Sequence, residues 1–446
     1  MSDKKVQKLL HITTFGCQMN DYDSGRLAAL LTREGYTLTR DKEAADLILL
    51  NTCSVREKPE HKVYSFLGSL KEIKKENPNL IVGVAGCVAQ QEGEKLLKKV
   101  PLLNLVFGPG EVENVAALVK RAQAGERLAA TSLGALGRQI EPELPPDPGL
   151  KSQVTIMQGC NNFCTYCVVP YVRGREYSRP AETVLAEARG MVEKGTREIM
   201  LLGQNVNSYN DAESGLNFPQ LLRRVAEIPG LWRVRFTTSH PKDFSPELIE
   251  VMAEVPQVME SLHLPAQSGS NRMLKAMNRR YTREHYLDRV ELLKKNIKIA
   301  ALGTDLIVGF PGETEDDFAD TLELVRQVRY DYSYSFKYSD RPFAKAADFE
   351  DKVPEEVKSE RLARLQELQT SKSLELHREL VGRKLEVLVE GPAKRGEALV
   401  TGRSRAGRAV NFPGHPSLFG TLVTVEITEA RINSLMGRLV KPAQGE

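Results

Sequence analysis

Apolar positions in the first 125 residues come in short runs, separated by stretches in which they recur every three or four residues. Residues 9–15, 46–50 and 80–85 are rich in leucine or β-branched side chains and bounded by polar or turn residues, which predicts buried strands. Residues 24–34, 60–75 and 93–98 carry the helical spacing instead. Strand and helix in alternation predict a parallel sheet with right-handed crossovers. The pattern stops at 138–152, where Pro142, Pro145, Pro146, Pro148 and Gly149 stiffen the chain into an extended linker.

A second, longer series follows. Residues 154–157, 198–202, 233–237, 261–264, 303–308 and 332–338 read as strands, with helical segments such as 181–193, 246–253 and 315–329 between them. Six such repeats fit a partial (β/α)6 barrel, whose ligand site belongs at the carboxyl ends of the strands. Residues 355–380 form a charged helical pattern with Leu362, Leu365 and Leu368 on one side, read as a helix docked by one apolar stripe between two domains. From Gly382 the period shortens to strands at 385–389, 398–401 and 421–429 with glycine turns, which predicts a small β-barrel. The expected fold class is α/β, with domains at 8–125, 153–380 and 382–441.

Composition changes this picture in two respects. Net charge is only +3, but residues 382–446 hold ten Lys or Arg against six Asp or Glu, so the rest of the chain stands at −1. A basic module on a neutral body fits a polyanionic partner, and equally a solvated basic surface with no partner. No apolar run approaches the roughly 18 residues of a membrane span, and none follows Met1 as a signal peptide would require, so a cytoplasmic protein is expected. In that reducing compartment, the six cysteines are ligands or catalytic groups before they are structural bridges.

The cysteines form two sets. Cys160, Cys164 and Cys167 are separated by three and two residues, a loop able to hold an iron-sulfur cluster from one side. Four thiolates close a cubane, so three leave one iron open for chemistry. A zinc knuckle or a Cys164–Cys167 disulfide would use the same thiols, although no second C-x-x-C or C-x-x-H lies nearby to complete a zinc tetrahedron. Cys17, Cys53 and Cys87 each come just after a predicted strand. One parallel sheet would bring all three to its carboxyl edge, where open α/β sheets bind ligands. The alternative is three unrelated core cysteines.

With Tyr166 before its last cysteine, the C-x3-C-aromatic-C loop resembles that of radical S-adenosylmethionine (SAM) enzymes, in which SAM chelates the open iron. Phe15-Gly16-Cys17-Gln18-Met19-Asn20, Asn51-Thr52-Cys53-Ser54-Val55-Arg56 and Ala85-Gly86-Cys87 resemble the three cysteine motifs of the methylthiotransferase family, in the flavour of its bacterial tRNA branch. The resemblance implies two 4Fe-4S clusters, one on Cys160, Cys164 and Cys167 for cleaving SAM, the other on Cys17, Cys53 and Cys87 for donating sulfur. It implies methylthiolation at C2 of N6-isopentenyl-adenosine in a tRNA anticodon stem-loop, an electron donor such as flavodoxin or ferredoxin, and a monomer. Sister branches act on threonylcarbamoyl-adenosine tRNA or a ribosomal protein aspartate, and a non-enzymatic RNA-binding protein with structural metal sites is the rival from another class.

Within that resemblance, Tyr166, Gly203, Gln204, Asn205, Ser239, Gln267, Asp305, Gly309 and Phe310 are expected to line the SAM pocket. Glycine admits a ligand to the backbone, while Gln and Asn offer paired donors and acceptors; ordinary βα turns use the same residues. His240 and His263 read as polar core residues rather than proton shuttles. The terminal barrel resembles the TRAM module, with Lys394, Arg395, Arg403, Arg405 and Arg408 for phosphates and Phe412 as a stacking face. One departure stands out: Phe343-Ala344-Lys345 follows Pro342 where the resemblance leads to Gly-Thr-Pro.

Overall fold

The computed structural model of the protein describes residues 8–53, 57–133, 144–298, 300–394, 396 and 398–442. Its first part contains β1 (Lys8–Phe15), α1 (Gln18–Arg33), β2 (Tyr36–Leu38), β3 (Leu47–Thr52), α2 (Glu57–Ser69), α3 (Lys71–Glu76), β4 (Ile81–Gly86), α4 (Cys87–Lys99), β5 (Leu105–Phe107), α5 (Val115–Gln123) and β6 (Leu128–Ala130). The strands form one parallel sheet in the order β2-β1-β3-β4-β5-β6. Period-two alternation explains its two covered faces. Leu47 and Leu49 pack with Leu27 of α1 and Leu118 of α5, while Ile48 and Leu50 pack with Leu67 of α2 and Leu96 of α4.

Several boundaries differ from the periodicity. α1 begins at Gln18 rather than 24, the 60–75 pattern breaks at Leu70 into two helices, and α4 reaches back to Cys87 across a bend at Gly93, whose φ is +48°. β2, β5 and β6 have three residues each, too few to show an alternation. β2 matters nonetheless, because the strand order reverses beside it and creates a switch point at the carboxyl edge of β1 and β3.

The second part starts with β7 (Lys151–Thr155), β8 (Met157–Gln158), α6 (Val169–Val172), β9 (Tyr177–Ser178), α7 (Ala181–Glu193), β10 (Glu198–Leu202), α8 (Phe218–Ala226) and β11 (Arg233–Phe236). It continues through α9 (Pro246–Glu254), β12 (Ser261–His263), α10 (Asn271–Ala276), α11 (Arg283–Asn296), β13 (Ala301–Val308), α12 (Glu315–Val328) and β14 (Tyr332–Lys337). Two parallel three-stranded sheets, β11-β10-β7 and β12-β13-β14, are joined by a parallel bridge between Val234 and Val258, giving an open barrel with edges at β7 and β14. Leu201, Val234, Leu262 and Leu306 face the helices. Neighbouring residues of opposite parity face the lumen. Of the predicted linker, 138–143 lie outside the described residues, and the β7 strand already begins at Lys151.

α13 (Glu355–Arg378) docks through the predicted Leu365, with Leu362 and Leu368 against the same core, and its buried stripe extends into polar residues. Arg361, Leu365, Gln369, Ser373 and His377, four apart, are buried, while Leu362 and Leu368 pack only partly against the core. Gln369 donates to the Tyr330 carbonyl at 2.7 Å, Ser373 to that of Asp331 at 2.7 Å, and the His377 ring contacts the Arg431 carbonyl oxygen at 2.6 Å. One helix thus ties the open barrel to the last part.

That part is a closed barrel in the order β15-β16-β17-β19-β18, from β15 (Lys384–Pro392), β16 (Leu399–Ser404), β17 (Ala409–Pro413), β18 (Leu422–Ala430) and β19 (Leu435–Pro442). It docks at the amino-terminal ends of the open barrel's strands. Lys151 pairs with Glu390 at 2.8 Å, Arg233 with Glu386 at 2.8 Å, and Arg408 Nε donates to Asp331 at 2.7 Å. Among the described residues no helix is long and apolar enough to cross a membrane.

Candidate active site

Sheet register places the first three cysteines at one level. Phe15 pairs with Thr52 and Thr52 with Gly86, so Cys17, Cys53 and Cys87 leave β1, β3 and β4 side by side. Cys53 and Cys87 are buried and Cys17 is exposed. Two asparagines from the motifs clamp the loops together. Asn20 Nδ2 donates to Asn51 Oδ1 at 3.0 Å and to the Thr52 carbonyl at 3.1 Å, while Asn51 Nδ2 donates to the Asn20 carbonyl at 2.9 Å. Gly86 lets them close: its φ is +91°, and a Cβ there would stand 2.4 Å from Asn51 Oδ1.

The fold treats the Cys17 and Cys87 thiols differently. Cys17 caps α1 and Cys87 opens α4, so both sit at helix N-termini, which lower a thiol's pKa. A hydrogen bond with Cys53 draws the Cys17 thiol down to about 6, with the Arg173 charge also lowering it. Burial pushes Cys87 up, and Arg173 offsets part of that.

The second triad lies on the loop after β8. Gly159 has φ +75°, and a Cβ there would fall 2.0 Å from the Arg175 carbonyl oxygen, so only glycine admits the return of the chain. The Cys160 N–H donates to the Gly174 carbonyl at 3.2 Å and that of Thr165 to Met277 at 3.1 Å. Arg279, fully enclosed, donates to Cys164 Sγ at 3.4 Å and Tyr166 Oη at 3.3 Å, and the Val169 N–H donates to Cys167 Sγ at 3.4 Å. Burial, reinforced by the neighbouring Cys164, drives the Cys167 thiol up to about 12. No disulfide joins any of the six cysteines, and among the described residues no three His, Cys, Asp or Glu surround a single ion position. N–H donors aimed at crowded thiols suit an iron-sulfur cluster, whose thiolates each take a different iron and accept such bonds.

A short strut joins the triads. Val168 and Val172, flanking and ending α6, pack on Cys87, and the next residue, Arg173, donates to Asp23 of α1 at 2.7 Å with both side chains buried. The Arg173 guanidinium also sets its positive charge beside the Cys17 and Cys87 sulfurs. Neither Arg173 nor Arg279 carries a sequence signal; only the folded loops bring them to the cysteines.

The expected SAM-pocket residues divide. Gln204 Oε1, Asn205 Oδ1 and Ser239 Oγ, at the carboxyl ends of β10 and β11, are buried without a hydrogen-bond partner, which suits a site for a polar ligand. A Cβ on Gly203 would strike Met157 at 2.5 Å, and Gln267 holds φ +70° with its N–H donated to Asp305. The Gly309 N–H is already taken by Glu313 at 2.7 Å. Phe310 is a correction: its ring is wholly buried among Met273, Met277 and Tyr338, and supports the loop from behind together with Tyr166. Asp305 faces the lumen, 3.0 Å from His263 Nε2, beside Tyr332 and Tyr334. Arg235 and Glu198 pair nearby at 2.9 Å. Above them Met200 and Leu202 meet Met19 and Tyr22 of α1, which closes the lumen at the cysteine end.

The expected RNA contacts also need correction. Phe412 is fully buried in the small barrel's core and offers no stacking face. Arg408 is committed to Asp331, and Arg405 donates to the Val258 carbonyl at 3.1 Å, so both face the open barrel. Lys394 and Arg403 remain exposed, and Arg395 lies outside the described residues.

Residues 154–325 match the Radical SAM superfamily, 9–108 the Uncharacterized protein family UPF0004 and 378–440 the TRAM domain. The chain is 50% identical over 98% of its length, and 99% of the relative's, to a "tRNA-2-methylthio-N(6)-dimethylallyladenosine synthase" of Geotalea uraniireducens (strain Rf4). A protein of the same name from Carboxydothermus hydrogenoformans is 48% identical over 98% of this chain and all of its own. Among solved structures, the radical S-adenosylmethionine methyltransferase TsrM from Kitasatospora setae shares the fold with TM-score 0.57 at 14% identity, covering 76% of this chain and 75% of that one. The chain therefore belongs to the family of tRNA-2-methylthio-N(6)-dimethylallyladenosine synthases, and is a radical SAM methylthiotransferase.

Proposed function

We propose that this chain adds a methylthio group at C2 of adenosine bearing an N6-isopentenyl (dimethylallyl) group, next to the anticodon of tRNA. The observation that carries the reading is the pair of cysteine triads, one at the carboxyl edge of the first parallel sheet and the other on the loop after β8, joined through Cys87, Val168, Val172 and the Arg173–Asp23 pair. An aromatic C–H at C2 is neither acidic enough for a side-chain base nor open to a nucleophile, so cofactors must supply the chemistry. SAM on a 4Fe-4S cluster supplies a hydrogen-abstracting radical, and a second such cluster supplies sulfur.

The chain's own part is to hold and shield. Cys160, Cys164 and Cys167 would leave one iron for SAM, with Gln204, Asn205 and Ser239 receiving its polar groups. N–H groups from Arg279 and Val169 withdraw electron density from two of the thiolates, which eases reduction of what they bind. α1 closes the lumen over Met200 and Leu202 and keeps water from the reacting base. Arg235 is already paired with Glu198 and His263 with Asp305. An apolar isopentenyl tail tolerates such surroundings, whereas the carboxylate of a threonylcarbamoyl group would be left unpaired at considerable cost.

In this reading 8–125 handles sulfur, 153–380 generates the radical and 382–441 holds RNA, in a cytoplasmic monomer supplied by an electron donor. The test is reduced enzyme with SAM and each of three tRNAs, read by mass spectrometry of nucleosides. The 2-methylthio product should form on isopentenyl-adenosine tRNA, much more slowly on unmodified adenosine and scarcely on the threonylcarbamoyl form. Preference for the last, or reaction only with a ribosomal protein, overturns the substrate assignment.

A further inference from the structure

The first sheet and the open barrel each have their own core, and little apolar surface joins them along α1. Met19 and Tyr22 touch Met200 and Leu202, and Cys87 touches Val168 and Val172, while the large cores lie inside each unit. Contacts this small allow sliding, and a cleft of about 260 Å³ bordered by Tyr22, Arg26, Pro148 and Lys151 leaves α1 room to shift. Directional bonds oppose that shift. Arg179, wholly buried, donates through Nη2 to Glu187 Oε2 at 2.6 Å, and through Nη1 to the Thr155 carbonyl at 2.5 Å and Tyr22 Oη at 3.3 Å. The Tyr22 O–H in turn donates to Glu187 Oε1 at 3.0 Å. Arg179 and Glu187 belong to the open barrel and Tyr22 to α1.

A pair this enclosed is not explained by stability. The Arg179 and Glu187 side chains are both 0% exposed, and apolar residues of similar volume stabilise such positions as well or better. What the charges add is direction, because a hydrogen bond is lost when its partner moves by about 1 Å. Their position in the chain determines what they orient. Tyr22 lies five residues beyond Cys17, about 7.5 Å along α1, and Thr155 lies five residues before Cys160, at the end of β7. One guanidinium therefore holds the segments that carry both cysteine triads. The next residue of α1, Asp23, makes the second tie, to Arg173, so the helix is fixed at two adjacent points.

We propose that Tyr22, Arg179 and Glu187 form a positioning joint that sets α1, and with it the Cys17, Cys53 and Cys87 site, at the angle over the lumen where sulfur and radical reach the same base. This rests on the two-cluster reading of the triads. Tyr22→Phe in the full chain keeps the ring and the Arg179–Glu187 pair, removes the hydroxyl, and should melt near the parent. In the iron-free protein, amides of 155–158 and 177–179, which α1 covers, should exchange hydrogen about tenfold faster, with those of β4 unchanged. In reconstituted protein, dithionite-driven SAM cleavage should keep the parent's rate, while 5′-deoxyadenosine released per 2-methylthio nucleoside rises about tenfold. Arg179→Met with Glu187→Leu keeps the volume without the charges and should give the same uncoupling; Tyr22→Phe added to that pair should change nothing further. Parent-like exchange and coupling in Tyr22→Phe, additive effects, or SAM cleavage and product falling in step overturn the proposal. Failure of the two-cluster reading shows separately, as a parent with fewer than about eight irons, and exchange in the iron-free protein then still decides whether the joint holds α1.

Discussion

Asn20 and Asn51 hold the first cysteine site together as much as its thiols do, because their reciprocal amide bonds fix the loops that carry Cys17 and Cys53. His240 plays a comparable role at the other site. Its Nδ1 accepts the Lys242 N–H at 3.2 Å, and burial, helped by the nearby Arg279 charge, drives its pKa down to about 2. A buried ring held neutral fits the reading of a polar core residue. Because the folded pKa lies below the ordinary 6.5, the unfolded chain binds the proton first. The stabilisation is complete above that value and is lost as pH falls toward 2. His240→Asn keeps a capping acceptor and removes the titration, so the parent should lose stability about 1.4 kcal/mol per pH unit faster than the variant below pH 6.5. Urea denaturation from pH 7 to 5 measures it. The cysteines were legible because their spacing is local or anchored to strand ends. Arg173 and Arg279 were not, since each acts on thiols that only the tertiary fold brings to it.

At the scale of elements, α7 and β10 match the sequence reading to the residue, because apolar spacing runs cleanly to both ends. α13 was legible only in part: Leu365 is buried as read, but Arg361, Gln369, Ser373 and His377 complete its buried face, and their polar groups find partners that no hydrophobic count reveals. Phe412 was misplaced for a readable reason: Val410 and Phe412 share one face of β17 and both point into the barrel. The same geometry separates the arginines. Arg408→Ala would leave Asp331 buried without its cation and should cost about 3 kcal/mol of stability, while leaving the salt dependence of tRNA binding as it was. Arg403→Ala, on the exposed edge, should reduce the log–log salt slope by about one unit with little change in melting temperature. Thermal melts and salt titrations of both variants check the pair; a slope change in Arg408→Ala alone would place the RNA on the docked face.

The whole molecule combines a six-stranded parallel sheet, an open barrel of two three-stranded sheets and a closed small barrel. The small barrel sits at the amino ends of the open barrel's strands, the lumen with His263, Asp305, Tyr332 and Tyr334 lies between, and the two cysteine sites face each other across α6 at the carboxyl ends. The central claim is that the two sites have different tasks. The measurement is anaerobic reconstitution of the parent and of the triple variant Cys17→Ala, Cys53→Ala, Cys87→Ala, followed by iron analysis, dithionite-driven SAM cleavage and nucleoside mass spectrometry. The parent should hold about eight irons and the variant about four, one cubane's worth. The variant should still cleave SAM yet form no 2-methylthio nucleoside. A variant that cannot cleave SAM, or that still makes the product, contradicts the account.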